Sequence, residues 1–169
     1  ITAAREAGAI LSFDPNLRFP LWPDREQLRQ TVWQFLPLTH ILKLSDEELP
    51  FLTGTEDIEA ALPRLFTGDV QLVLYTCGSK GARAYTRTAS AHARSPKVAA
   101  VDTTGAGDIF GGSAVAKLLA LDTPPAELEP GALEGIARFA VTAASLSTEH
   151  PGGIPSIPAE SVVLERMKG

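Results

Sequence analysis

Residues 101–108 read Val-Asp-Thr-Thr-Gly-Ala-Gly-Asp and run directly into a segment of small residues that predicts a helix. The glycines leave the first N–H groups of that helix, those of Gly105, Ala106 and Gly107, bare for an anion such as phosphate. Asp108 follows at once, where a carboxylate is suited to accept a proton from an attacking hydroxyl. The spacing indicates phosphoryl transfer. The residues alone leave an alternative open, because Asp also favours a helix first turn and Gly-Ala-Gly is a common loop.

The same string resembles the pattern D-T-x-G-A-G-D of the PfkB/ribokinase family of sugar kinases. It is not a Walker A loop, since no G-x-x-x-x-G-K-[ST] occurs, and Phe110 stands where a dinucleotide fingerprint needs glycine. The resemblance implies a ribokinase-like, three-layer αβα fold with a mostly parallel sheet. It also implies ATP and Mg2+ as cofactors, with K+ beside them, and Asp108 as the catalytic base.

Composition bounds the class of protein. The 169 residues carry a net charge of -5, and the pI is near 5.2, which argues against nucleic-acid and anionic-membrane partners. No apolar run is long enough to span a bilayer and no signal peptide is visible. The single cysteine, Cys77, excludes an intrachain disulfide and a cysteine-rich zinc site. These features predict a cytoplasmic protein.

Apolar runs predict buried strands at 9–13, 39–44 and 70–76, and the alternating segments 82–88 and 91–98 predict an edge hairpin. Helices are predicted at 25–36 after Asp24, from Ser45, from Thr55 or Glu56 to near Gly68, at 109–120 and at 133–147. This order favours a mostly parallel α/β sheet with helices on both faces, in which ligands lie beyond the carboxyl ends of strands. We expect residues 1–169 to be the C-terminal nucleotide-binding and catalytic portion of a ribokinase-like domain, without its N-terminal sugar-binding half and lid.

Two further segments follow predicted strands. Asp14-Pro15-Asn16-Leu17-Arg18 is rich in turn formers, and it resembles the D-P-N-x-R segment of keto-sugar kinases. That resemblance makes Asn16 and Arg18 candidates for contacting the sugar or the transferred phosphate. Ser45-Asp46-Glu47-Glu48 has the pattern of a capping box. It also resembles the family motif N-x-x-E, whose glutamate, here Glu48, helps to organise the water shell around magnesium and phosphate.

The nucleotide is expected between a loop and a helix. The turn Thr76-Cys77-Gly78-Ser79-Lys80-Gly81 is geometrically suited to join a strand to a hairpin. It resembles the family's T-x-G-x-x-G loop beside the ATP phosphates and ribose, which implies cofactor contacts by Thr76, Gly78, Ser79 and Gly81. Helix 136–147 would form the adenine wall near Val141. Family members often carry an asparagine there and this chain has none, so an apolar slot is expected to take the purine without that hydrogen bond.

The resemblance also implies a monovalent cation site beside the anion hole. Asp102 and Thr104 match the acid and the threonine carbonyl of that site, although an Asx turn would also account for Asp102. The segment 147–156 would complete the site with backbone oxygens, and the candidates are Ser147, His150, Gly152 and Ser156. His150 is expected to contribute a carbonyl, while His40 and His92 are expected to be structural.

The reaction implied is transfer of the γ-phosphate of ATP to a primary hydroxyl of a small-molecule sugar, and fructose is the expected acceptor. A 2-keto-3-deoxygluconate kinase is the alternative within the class. A nucleotide-binding module without activity is the alternative outside it, and we expect the isolated portion to be inactive. A homodimer of the full-length protein is left open.

Overall fold

The computed structural model describes residues 1–168. In chain order its elements are α1 (Thr2–Glu6), β1 (Ser12–Phe13), α2 (Arg25–Phe35), β2 (Ile41–Ser45), α3 (Leu49–Thr53), α4 (Ile58–Leu65), β3 (Leu72–Thr76), β4 (Ala82–Tyr85), β5 (Ser90–Ala93), α5 (Ala106–Leu121), α6 (Pro130–Ser147) and α7 (Glu160–Arg166). Across this range no helix has the length and apolar character to cross a bilayer.

The strands form one five-stranded sheet in the order β1-β2-β3-β4-β5. The first three strands are parallel, and Ile41 lies opposite Leu72 in the register of β2 and β3. Parallel neighbours need crossover connections, which α2 and the pair α3 and α4 supply. The last two strands form an antiparallel hairpin at one edge. The predicted sheet of parallel strands with an edge hairpin is therefore confirmed.

Helices cover both faces of the sheet. On one face, α2, α3 and α4 pack over alternate strand residues such as Leu42 and Leu44. On the other, α5 and α6 pack over Ile41, Leu72 and the alanines of the hairpin. Because successive strand residues point to opposite faces, Lys43 shares the α5 side with Ile41. The predicted three-layer αβα arrangement is confirmed.

Several predicted boundaries are wrong for local reasons. The strand predicted at 9–13 is only Ser12–Phe13, and the Leu11 N–H before it donates to Nδ1 of His40 while its carbonyl accepts from Ile41 of β2. The helix expected from Ser45 begins at Leu49, after a hydrogen-bonded turn. The next helix begins at Ile58, after its Asp57 cap. Helix α5 begins at Ala106, three residues earlier than predicted, and α7 was not predicted.

Gly81 occupies a position that only glycine fits. Its φ is +102°, and an added Cβ would overlap the carbonyl oxygen of Ala93 and lie 2.9 Å from the Arg94 Cα. We expect Gly81→Ala to lower the free energy of unfolding by roughly 2 to 4 kcal/mol, because backbone strain and overpacking add. Gly131→Ala is the control, since a Cβ there meets nothing within 4 Å. That variant should gain up to about 1 kcal/mol. Urea unfolding of both variants checks this, and equal stabilities would contradict it.

Candidate active site

The first turn of α5 presents free backbone donors beside an acid. Gly105 caps the helix in the left-handed conformation, with φ 77°, and a Cβ there would lie 3.2 Å from the Gly153 Cα. Ala106 was expected to be bare, and that is wrong, because its N–H donates to the Thr103 carbonyl at 3.2 Å. Within residues 1–168 the N–H groups of Gly105, Gly107 and Asp108 have no such acceptor. The open donors are thus shifted toward the exposed Asp108.

The Asp102 carboxylate holds two loops together. One oxygen accepts from the Thr104 N–H at 2.9 Å, and the other accepts from the Gly152 N–H at 2.8 Å. These hydrogen bonds, that of Gly152 first, lower the pKa of Asp102 to about 2. The Thr148 carbonyl adds to the same junction by accepting from the N–H groups of Val101 and Asp102. The loop between β5 and α5 and the 147–156 segment are therefore joined directly beside Gly105.

The two serine candidates for the cation site lie in the 147–156 segment with their hydroxyls engaged. The buried Ser147 hydroxyl donates to the Ala144 carbonyl at 2.8 Å. The buried Ser156 hydroxyl donates to the Gly153 carbonyl at the same distance. The His150 N–H reaches the Ser147 carbonyl. Main-chain carbonyls therefore orient both hydroxyls, and the cation site itself stays a prediction.

A cavity of about 640 Å³ brings together the predicted nucleotide residues. Its wall includes five of the six cofactor-binding candidates, which are Thr76, Gly78, Ser79, Gly81 and Val141, but not Glu48. Ala106 and Gly107 contribute the edge of the α5 turn, and Phe110 and Ala144 add apolar surface. The volume falls in the range of small-molecule sites. The cavity also contains Ser95 and Ser145, which the sequence analysis did not single out.

A second cavity, of about 540 Å³, lies along the other side of the same turn. Gly105 and Asp108 line it, together with Gly112, Ala116 and Gly153. Adjacent residues of a helix project about 100° apart, so Gly107 and Asp108 serve different cavities. The first turn of α5 therefore separates a cavity containing the predicted nucleotide residues from one containing the predicted base.

Sequence reasoning missed an ion pair next to this turn. The buried Lys43 ammonium lies 2.9 Å from the Asp14 carboxylate, and its Nζ is 3.2 Å from the place of a Cβ on Gly107. Burial raises the pKa of Asp14, the hydrogen bond and charge of Lys43 oppose that rise, and the Glu48 charge adds to it. The signal was a lysine inside the apolar run Ile41-Leu42-Lys43-Leu44, where an unpaired charge would be costly.

Glu48 fixes the turn that follows β1. Its Oε1 accepts from the Leu17 N–H at 2.9 Å, and its Oε2 accepts from the N–H and hydroxyl of Ser45. The Glu48 N–H approaches the Ser45 hydroxyl at 3.3 Å, so the predicted reciprocal bonds are present, although they close a turn before α3. Asn16 and Arg18 are both exposed. No hydrogen bond or ion pair within residues 1–168 fixes the Arg18 side chain.

Comparison with known proteins identifies the family of the chain. The model of the pfkB family carbohydrate kinases matches residues 1–160. The chain belongs to the pfkB family. The predicted membership is confirmed.

The pfkB relatives include fructokinases from plants and bacteria. Fructokinase-2 of Solanum lycopersicum is 38% identical over 168 residues, which are 98% of this chain and 50% of that protein. The fructokinase of Xylella fastidiosa with bound ATP has a TM-score of 0.89 and 33% identity, over 99% of this chain and 54% of that one. The fructokinase of Vibrio cholerae O395 in its fructose, ADP and calcium ion bound form has a TM-score of 0.87 and 31% identity, over 97% and 52%. The chain spans about half the length of these pfkB relatives.

The hydrogen bonds of the Asp102 junction can be tested directly. Because its pKa is lowered to about 2, below the ordinary 3.8, the hydrogen bonds are fully present above the ordinary value. They are lost only as the pH falls through about 2. The carboxyl carbon of Asp102, followed by NMR, should therefore titrate with a midpoint near pH 2. A midpoint near 4 would contradict the two hydrogen bonds that the Asp102 carboxylate accepts.

A second test uses hydrogen exchange at neutral pH. Asp102→Asn should speed exchange at the N–H groups of Thr104 and Gly152, whereas Asp122→Asn, on an exposed residue at the end of α5, should not.

Proposed function

We propose that the chain is the nucleotide-binding and catalytic portion of an ATP-dependent sugar kinase whose acceptor is fructose. The observation that carries this proposal is the first turn of α5, where open N–H groups and Asp108 lie between two cavities. Membership of the pfkB family and the fructokinase relatives support the choice of reaction and acceptor.

The nucleotide is expected in the cavity that Val141 and the 76–81 turn line. Its terminal phosphate would reach the Gly107 edge of the α5 turn, where amides and the helix dipole favour negative charge. The Lys43 ammonium beside Gly107 would supply a full positive charge. In this arrangement the N–H groups of Gly105, Gly107 and Asp108 stabilise the charge that develops during transfer.

Asp108 accepts the proton of the attacking hydroxyl in this proposal. The cavity on its side has mostly apolar walls, and its polar side chains besides Asp108 are Ser113, Lys117 and Glu160. Lys117 and Glu160 already pair with each other. A cavity wall with so few free polar groups is poorly suited to recognise a polyhydroxylated sugar. We therefore propose that a further sugar-binding half, as long again as this chain, supplies that recognition and excludes water.

Two metal ions belong to the proposal. Residues 1–168 contain no cluster of three or more His, Cys, Asp or Glu side chains that could hold a metal. That suits Mg2+, which retains water and binds largely through substrate phosphates. A bound Mg2+ would neutralise phosphate charge. Glu48, whose carboxylate accepts from Ser45 and Leu17, would also accept from water around it. K+ would bind carbonyl oxygens that the Asp102 junction orients.

The reaction is tested with a complete protein that carries this sequence. We expect it to phosphorylate fructose at the expense of ATP in a coupled assay. Asp108→Asn should lower kcat by about 10²- to 10⁴-fold while the Kd for ATP stays within about threefold, because the base acts in the transition state. Asp122→Asn, in the last turn region of the same helix, is the control. Near-normal turnover by Asp108→Asn would refute its role, and turnover with 2-keto-3-deoxygluconate alone would refute the acceptor.

The role of Lys43 is tested by binding alone. Lys43→Met should raise the Kd for ATP by about 10- to 100-fold, the loss expected for a charge-assisted contact, and leave that for adenosine unchanged. Isothermal titration calorimetry measures both constants. Because the substitution leaves Asp14 unpaired, the double variant Asp14→Asn/Lys43→Met serves as the charge-neutral control. Equal losses for ATP and adenosine would mean that Lys43 does not face the phosphates.

A further inference from the structure

Two serine hydroxyls meet in the wall of the cavity of about 640 Å³. Ser95 follows β5 and is half-buried, and Ser145 is buried near the end of α6. Their Oγ atoms lie 2.8 Å apart, and either can be the donor. The Ser95 Oγ also lies 3.3 Å from the Pro96 carbonyl oxygen. Both residues line the cavity that contains the predicted nucleotide residues.

The surroundings of this pair are largely apolar. Val98, Phe110, Val141 and Ala144 line the same cavity and offer flat surface to an aromatic ring. Two of the other polar side chains in this cavity, those of Thr148 and Lys97, are less suited to read a base. The Thr148 hydroxyl already donates to the Ser145 carbonyl at 2.7 Å. Lys97 is exposed and has donors only. The Ser95–Ser145 pair therefore combines donor and acceptor capacity with partial burial.

We propose that the Ser95–Ser145 pair reads the hydrogen-bonding edge of a purine and accepts both adenine and guanine. This inference rests on the proposed nucleotide site. Adenine presents an amino donor next to a ring acceptor, and guanine presents a carbonyl acceptor next to a ring N–H donor. A hydroxyl both donates and accepts, and its hydrogen rotates to suit its partner. Reversing the direction of the Ser95–Ser145 bond lets the pair match either edge, so GTP binds as well as ATP.

The experiment compares three nucleotides by isothermal titration calorimetry with the full 169-residue chain and Mg2+. ATP and GTP should bind with Kd values within about tenfold of each other. Purine riboside triphosphate, which has no group at position 6, should bind roughly three- to tenfold more weakly than ATP, the value of one neutral hydrogen bond. In the double variant Ser95→Ala/Ser145→Ala the three Kd values should converge to within about twofold.

The double variant is preferred because removing both hydroxyls leaves neither serine without its partner. Ser90→Ala, on an exposed residue at the start of β5, is the matched control and should keep the wild-type ratios. A thermal melt of each variant monitors folding. A hydroxyl pair that only ties the loop to α6 would weaken all three nucleotides equally, and that result overturns the inference.

Two other outcomes are equally decisive. A preference of wild type for ATP over GTP of more than about a hundredfold would overturn acceptance of both purines. If ATP binds and the ratios survive in the double variant, the inference fails while the proposed nucleotide site stands. If none of the three nucleotides binds to the wild-type chain, the proposed site itself fails, and the inference fails with it.

Discussion

One carboxylate sets the geometry on which the candidate site depends. Asp102 accepts from Thr104 in its own loop and from Gly152 some fifty residues later, so it joins two segments that have no strand pairing. Charge-assisted bonds of this kind are about twice as strong as neutral ones. With a pKa of about 2, the carboxylate stays ionised throughout the physiological range. The left-handed Gly105 then packs on Gly153, and the amides of the α5 turn keep a fixed direction.

The local charge at the site is positive, whereas the net charge of the whole chain is negative. A net charge of -5 repels anions at long range, whereas the α5 N-terminus and Lys43 attract them locally. Lys43 is buried and its partner Asp14 is mostly buried, and such pairs often add little to stability because desolvation offsets their attraction. An apolar residue would serve β2 at least as well. The pair is therefore better explained by the positive charge it keeps beside Gly107 than by folding.

The sequence predicted those features that depend on local chemistry. The alternation of apolar runs and helices, the Asp24 cap and the Ser45–Glu48 bonds all follow from residues close in the chain. One tight local turn and several features that depend on distant partners were missed. The Ala106 N–H is engaged by a turn at Thr103, the Leu11 N–H within the predicted 9–13 strand donates to the His40 side chain, and Ser95 meets Ser145 only after folding. Of the missed site residues, Lys43 alone left a visible signal, a charge inside an apolar strand.

The position of Asp108 explains why the open N–H groups of the α5 turn and the proposed catalytic base can follow each other directly in sequence. In-line phosphoryl transfer needs the attacking and leaving oxygens on opposite sides of the phosphorus. A helix turns by about 100° per residue, so consecutive residues in its first turn look in different directions. Gly107 borders the cavity with the predicted nucleotide residues, and Asp108 borders the other. For the proposed reaction, one helical turn can thus hold the phosphoryl group between the nucleotide that donates it on one side and the deprotonated sugar hydroxyl that accepts it on the other. A shift of α5 by a single residue would turn the acid away from the acceptor side, which is why the Asp102 junction that fixes its start matters for chemistry.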